Sequence, residues 1–310
     1  MLESPMSRRD LLRRGASATF AGALAAGIPS CADARARHVS ADVGNANPAP
    51  LQELEAQHAA RLGVWAINHR TGETLAWRAG ERFAFCSTYK GLLAARVLRD
   101  FDHSPTSLKH VVHYSRRDLV EGSPVTSAFQ SDGLTVRSLC AAAIAYSDNT
   151  AANLLFELTG GPHGLQRFLR SLGDVLTQSE RTEPTVNDFA PGDLRDTTTP
   201  WAIGRDYTQL LLGDALSKPH RALLRSWMEG DAVNVTRFGA GLPVDWLIAD
   251  KTGTGFSQIA NDVGVVWTPR GTALTISVLT EKSAPTAAPD DALVAAAARI
   301  VAHKLAPGEL

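Results

Sequence analysis

Cys86-Ser87-Thr88-Tyr89-Lys90 leads directly into Gly91-Leu92-Leu93 and then Val97-Leu98, so a serine and a lysine open an apolar run with helical spacing. Ser87 and Lys90 are three residues apart, a separation that puts two side chains on one face of a helix, where they can meet. A serine hydroxyl is a weak nucleophile until a neighbour takes its proton, and an amine of lowered pKa is one such neighbour. A helix N-terminus adds unpaired N–H groups that favour developing negative charge. The run reads as an amphipathic helix buried through Tyr89, Leu92, Leu93, Val97 and Leu98, with Gly91 permitting close packing. A Ser-x-x-Lys spacing arises about once by chance in a chain of this length, so its meaning depends on what surrounds it.

Outward from this helix the pattern changes at both ends of the chain. Residues 87–228 carry helical signals almost throughout. Strand character lies at 62–68 and 74–78, joined by a turn at Arg70-Thr71-Gly72-Glu73. It returns at 246–251, 261–267 and 272–280, with a turn at Pro269-Arg270-Gly271. Further helices are expected at 51–61 and at 291–304, the latter started by Asp290. Strands at both ends around a helical middle predict an α/β fold: an antiparallel sheet built from both chain ends and flanked by helices, with an inserted all-helical domain. The expected boundaries are 51–86 and 230–310 for the sheet domain and 87–229 for the helical domain, which includes an active-site loop at 178–196.

Ahead of that fold, residues 1–36 have the three-part plan of an export signal: Arg8-Arg9, an apolar Ala-rich stretch at 16–28, and Ala34-Arg35-Ala36. The arginine pair points to the twin-arginine route, hence to a periplasmic or secreted protein. The apolar stretch is too short to span a bilayer, so no stable membrane partner is expected once the signal is removed. Ile28-Pro29-Ser30-Cys31 is a weaker match to a lipid-attachment site, which Pro29 fits badly. Residues 37–50 read as a polar linker.

Composition narrows the function classes. With 310 residues, 44% of them hydrophobic, the chain can bury a large core in one or two domains. Its 31 basic and 32 acidic residues argue against a nucleic-acid partner. The nine histidines show neither His-x-x-x-His nor His-x-His spacing, so no metal is expected, and no nucleotide-binding glycine pattern or other cofactor signature appears.

Three further stretches carry polar groups suited to chemistry. Ser147-Asp148-Asn149 falls at a break between helices expected at 138–145 and 150–158. There Ser147 and Asn149 are good capping residues, or can project into a cleft to relay a proton and grip a substrate. Lys251-Thr252-Gly253-Thr254-Gly255 ends a strand, offering a cation, two hydroxyls and a glycine that lets backbone approach a ligand. Arg181-Thr182-Glu183-Pro184-Thr185-Val186-Asn187 opens a long loop, and such loops inside a compact domain are usually functional. Glu183 and Asn187, four residues apart, can hold a water between them, and Arg181 can pair with Asp196 to close the loop.

In this order and with these spacings, Ser-x-x-Lys, Ser-Asp-Asn, Glu-x-x-x-Asn and Lys-Thr-Gly strongly resemble the class A serine β-lactamases. The resemblance runs from about residue 51 to 304. It takes in 114–118, Leu119-Val120-Glu121 with Ser123-Pro124-Val125-Thr126, and Arg195-Asp196-Thr197-Thr198-Thr199-Pro200-Trp201. It implies a monomeric hydrolase that acts on small-molecule β-lactams and confers antibiotic resistance. Ser87 would attack the strained amide, with Lys90 or a Glu183-bound water taking its proton. The backbone N–H groups of Ser87 and Thr254 would form the oxyanion hole. Ser147 would pass a proton to the departing ring nitrogen, and Asn149 would hold Lys90 and the substrate's amide. Lys251, Thr252 and Thr254, on the Lys251-Thr252-Gly253 strand, would receive the substrate carboxylate. Glu183 would activate the hydrolytic water positioned by Asn187, with a cis Glu183-Pro184 bond aiming the carboxylate inward.

The chain also departs from the family. Of two places that supply a carboxylate-binding arginine, one is Ala260 here and the other matches Arg237. The aromatic residue usual at the cleft rim is replaced by Gly122. The family partners of Cys86 and Cys140 fall on Gly255 and Ala94, so both thiols are expected to be free. The penicillin-binding DD-peptidases and the β-lactam sensors share part of the motif set but lack the Glu183–Asn187 loop.

Overall fold

The apolar stretches at the two chain ends meet in one five-stranded antiparallel sheet. The computed structural model describes residues 46–101, 107–255, 258–284 and 286–310; the export signal, Cys31 and most of the expected linker lie outside them. Helix α1 (Ala49–Gln57) leads into β1 (Ala60–Asn68) and β2 (Thr74–Trp77). The two-residue β3 (Phe83–Ala84) and a 3-10 turn, Cys86–Thr88, precede α2 (Tyr89–Asp100). Next come β4 (Val111–Val112), α3 (Pro124–Ala128), β5 (Leu134–Thr135), α4 (Val136–Ala145), α5 (Asn149–Leu158) and α6 (Gly161–Ser171). They are followed by β6 (Thr197–Thr198), α7 (Pro200–Leu211), α8 (Lys218–Met228) and α9 (Phe238–Gly241). The chain then returns to the sheet through β7 (Leu247–Thr254), β8 (Ala260–Trp267) and β9 (Ala273–Lys282), and α10 (Asp291–Leu305) follows.

The strand order is β2-β1-β9-β8-β7. β1 runs beside β9 from the Ala60–Lys282 pair to the Asn68–Leu274 pair, joining residues roughly two hundred apart in sequence, a non-local pairing that folding must reach late. One face of the sheet packs on α1 and α10 through Leu62, Val64, Ala66, Leu51, Val294 and Val301. The other face packs on α7, where Trp65 meets Trp201 and Ala202. Burial on both faces is why β1 reads as a nearly continuous apolar run rather than a clean alternation.

Some local expectations need correction. The first helix ends at Gln57 rather than continuing to 61, because Ala59 takes a left-handed φ of 46° that turns the chain into β1. Arg61 is therefore a strand residue, and it pairs with Glu81 and Glu281. Ser87 stands in the 3-10 turn, one turn ahead of the regular helix. The burial of α2 goes beyond one face: every residue from Tyr89 to Ala95 is buried, as are Val97 and Leu98, and its polar surface is confined to Arg96, Arg99 and Asp100 in the last turns. It is the central helix, in contact with α4, α5, α6, α7 and α8. Gly91 does permit close packing, since a Cβ there would strike the Tyr207 ring and hydroxyl. That hydroxyl in turn donates to the Thr88 carbonyl at 2.7 Å.

Cys86 and Cys140 are both free and buried. Burial pushes the Cys86 thiol up to about 12 and the Cys140 thiol upward as well, so neither forms the reactive thiolate near neutral pH. We expect thiol titration of protein lacking residues 1–36 to find two thiols per chain under denaturing, non-reducing conditions, and almost none in the native state. Finding none after denaturation would mean the two are paired.

Candidate active site

Beneath the sheet's β7 edge, the 3-10 turn, the α4–α5 break and the 178–196 loop converge on one cavity of about 550 Å³. Ser87, Ser147, Asn149, Asn187, Thr252, Thr254 and Arg237 all line it. Lys90 and Glu183 stand behind that lining, each with a side chain fully shielded from solvent. Lys251 is also fully buried and supports the wall from behind.

Two fasteners bring Ser87 against β7. A Cβ on Gly253 would lie 2.8 Å from the Phe85 carbonyl and 3.1 Å from the Thr88 nitrogen, so only glycine lets the strand lie this close to the nucleophile's turn. Asn261, next along the sheet, donates to the Ala84 carbonyl at 2.8 Å and accepts from Thr280 N at 3.0 Å. The turn itself has Cys86 at φ 46°, a sparsely populated conformation for a residue with a Cβ.

At the α4–α5 break, the capping role falls to Asp148 rather than to its neighbours. Its Oδ1 accepts from Ala151 N at 2.8 Å and from Thr126 Oγ1, while Oδ2 accepts from Val125 N and Thr126 N, each at 2.9 Å. With the cap filled by the middle residue, Ser147 (φ 53°) and Asn149 are free to face the cleft. Lys90 Nζ donates to Ser147 O at 2.7 Å and to Asn149 Oδ1 at 2.5 Å, and it pairs with Glu183 Oε1 at 3.0 Å. These three acceptors take all three protons of an ammonium. Burial, with the Lys251 charge adding to it, holds the Lys90 pKa down to about 8 against the pull of Glu183.

Glu183 is placed by the loop. The Glu183–Pro184 bond is cis, and Asn153 clamps the Glu183 backbone by accepting from its N–H and donating to its carbonyl, both at 2.9 Å. Tyr89 donates to Oε1 at 3.2 Å, and Asn187 Nδ2 donates to Oε2 at 2.7 Å. The expected loop-closing pair is present: Arg181 Nε reaches Asp196 Oδ2 at 2.5 Å, and the other Asp196 oxygen accepts from the N–H groups of Glu180 and Arg181.

The opposite wall is cationic. Lys251 Nζ contacts Thr252 O at 3.1 Å and Asp231 Oδ2 at 3.7 Å. Arg237 spends two N–H groups on the Gly253 and Asn261 carbonyls, a third on Thr254 Oγ1 at 2.7 Å and a fourth on Asp291 Oδ1 at 2.8 Å. Of its five donors, one is left, so Arg237 braces β7 and β8 and orients the Thr254 hydroxyl besides adding charge to the cleft. Behind this wall Asp250 and Asp262 are fully buried, with Asp250 Oδ2 and Asp262 Oδ1 both lacking a protein donor. Burial and neighbouring carboxylates hold both pKa values up, as expected for two carboxyls hydrogen-bonded to each other through one shared proton.

Sequence reading had not picked out Asn153, Tyr89, Tyr146, Asp231 or Asp291. Asn153 carried a usable signal, four residues after Asn149 and so on the same helix face.

The family model described as the beta-lactamase enzyme family matches residues 49–305. A β-lactamase of Streptomyces cellulosae is 42% identical over 311 residues, covering 98% of this chain and 98% of its own length. The β-lactamase AST-1 of Nocardia asteroides is 47% identical over 253 residues, 82% of each chain. Among solved structures, the β-lactamase from Streptomyces albus G aligns with a TM-score of 0.81 at 44% identity, covering 83% of this chain and 98% of that one. A class A β-lactamase from Clostridium kluyveri aligns at 0.79 and 37% identity, covering 82% and 96%.

The Lys90 environment is directly testable. With 13C-labelled lysine, one Cε resonance, absent from Lys90→Arg, should titrate with a midpoint of about 8. In Glu183→Gln that midpoint should fall further, because the carboxylate that favours the charged form is gone. If every lysine titrates above pH 10, Lys90 is an ordinary ammonium.

Proposed function

The chain belongs to the β-lactamase enzyme family, its activity is that of the class A enzymes, and we propose that it hydrolyses penicillin- and cephalosporin-type β-lactams through an acyl-enzyme on Ser87. The observation that carries this reading is the hydrogen-bonded series Asn187–Glu183–Lys90–Ser147/Asn149, immediately behind the turn that presents Ser87.

In the first half-reaction the Ser87 oxygen bonds to the lactam carbonyl carbon and its proton leaves for the buried base. A proton shared between Lys90 and Glu183 over 3.0 Å can move to the carboxylate, leaving a free amine able to receive the serine proton directly; the alternative receiver is a water held by Glu183. The carbonyl oxygen, negative in the tetrahedral intermediate, points to the N–H groups of Ser87 and Thr254, donors typically worth about 3–4 kcal/mol each. As the C–N bond breaks, Ser147, 3.4 Å from Lys90 Nζ, returns a proton to the ring nitrogen. Thr252, Thr254 and Arg237 hold the substrate's carboxylate, with Lys251 supplying charge from beneath. Asn149 grips the acylamino group.

In the second half-reaction Glu183, aimed by Asn153 and Asn187, takes a proton from water. The water oxygen bonds to the ester carbonyl carbon as the bond to the Ser87 oxygen breaks, and the proton taken up by Glu183 passes to that oxygen, freeing Ser87 with the opened product. The loop carrying Glu183 favours a hydrolase over a peptidase or a sensor that stays acylated.

We also propose that residues 1–36 export the chain through the twin-arginine route to the periplasm or the medium, since Arg8-Arg9 precede a short apolar stretch. Changing Arg8 and Arg9 to lysine together should leave precursor in the cytoplasm. Processed protein outside the cytoplasm at normal levels would overturn the route.

The division of labour between the two steps has its own test. Removing Glu183 takes away a group that keeps Lys90 charged, so acylation should continue while deacylation stalls. We expect Glu183→Ala to lose about 10²–10⁴-fold in steady-state turnover, the usual contribution of a general base. Intact mass spectrometry after mixing with a penicillin should show an adduct equal to the substrate mass, absent from Ser87→Ala. Unimpaired turnover by Glu183→Ala would place water activation elsewhere.

A further inference from the structure

The cavity's lining holds groups that the acyl-transfer chemistry does not use. Gly122 leaves the rim position with no side chain at all. Tyr146, Val233 and Val235 line the same cavity while remaining 56%, 45% and 68% exposed. Exposed branched and aromatic side chains gathered at a cleft mark a surface that is covered when the cleft is occupied.

These side chains are not on a loose loop. Ala232 N donates to Ala145 O at 3.1 Å, bringing the segment alongside the end of α4 that carries Tyr146. Val233 N donates to Asp231 Oδ1 at 2.9 Å, Asn234 Nδ2 to Asp250 Oδ1 at 2.9 Å, and Thr236 Oγ1 to Asp291 Oδ2 at 2.6 Å. Valines fixed in this way present apolar area without an ordering cost at the moment of binding. Val235 also lies two residues before Arg237, whose guanidinium braces Thr254, so the apolar wall begins where the carboxylate is held. In a penicillin or cephalosporin, the ring carbon next to the carboxylate-bearing carbon carries the ring's own substituent. A carboxylate anchored on Thr252, Thr254 and Arg237 therefore directs that substituent, rather than the acylamino group, at this wall.

Building on the proposed hydrolase reading, we infer that Tyr146, Val233 and Val235 form a specificity-determining shelf for the apolar ring substituent beside the carboxylate. The chain discriminates among β-lactams at that position.

The test uses the mature enzyme and two cephalosporins with the same acylamino group, one unsubstituted at the ring carbon beside the carboxylate-bearing carbon and one bearing a styryl group there. Val233→Ser and Val235→Ser alter exposed side chains outside the reacting groups. The double variant should raise KM for the styryl compound about three- to tenfold, the scale expected when the substituent no longer covers one or two exposed valine side chains. Its kcat for that compound, and both constants for the unsubstituted one, should stay within about twofold. Val235→Leu should retain the preference. Equal shifts for both substrates, or no shift for either, would overturn the shelf while leaving the hydrolase reading intact. A wild-type enzyme that turns over neither compound and forms no Ser87 adduct would overturn both.

Discussion

The contact on which the rest of this structure depends is the fully buried ion pair between Lys90 and Glu183, 3.0 Å apart. Two charges withdrawn from water lose several kcal/mol of solvation each, and their attraction compensates only when the remaining protons and lone pairs are satisfied. Here they are: Ser147 and Asn149 complete the lysine, and Tyr89 and Asn187 complete the glutamate. Those partners come from α2, the α4–α5 break and the 178–196 loop, so the pair ties the central helix to both of those segments. Lys90 is the one charged residue of α2 that is buried; Arg96, Arg99 and Asp100 stand at its C-terminal end, where they reach the surface.

A second set of charges stabilises the sheet edge. Lys251 pairs with the buried Asp231 and Arg237 with Asp291, which lines the cavity beside it, so each cation under β7 has its own carboxylate. Behind them Asp250 and Asp262 are fully buried, and burial holds both of their pKa values up, which keeps this region from gathering like charges where water is excluded.

How much of this was legible in the sequence depended on how local the cause was. The sheet strands announced themselves by apolar β-branched runs, and the site motifs by type and spacing, because chemistry limits which residues can stand at those places. The helix end at Gln57 was not legible, since it turns on one backbone angle at Ala59. The cap at Asp148 was hidden by its neighbours: three good capping residues in a row cannot be ranked until the loop at 123–126 arrives to hydrogen-bond one of them. The extensive burial of α2 likewise depends on helices far along the chain. Tyr146 and Val233 come to line one cavity where the Ala232 N–H bonds to the Ala145 carbonyl and brings the segment after α8 alongside the end of α4, which no periodicity encodes.

The close approach of Gly253 to the Phe85 carbonyl and Thr88 backbone has a consequence for the protein while it is being made. A ribosome delivers Ser87, Lys90 and Glu183 long before it delivers β7, and β7 needs β8 and β9 to reach β1. During most of synthesis the serine therefore lacks both the strand that flanks it and the wall that would hold a substrate. Competence arrives only with the final strands, so messages cut short and chains clipped near their end yield an inert serine rather than a poorly discriminating one.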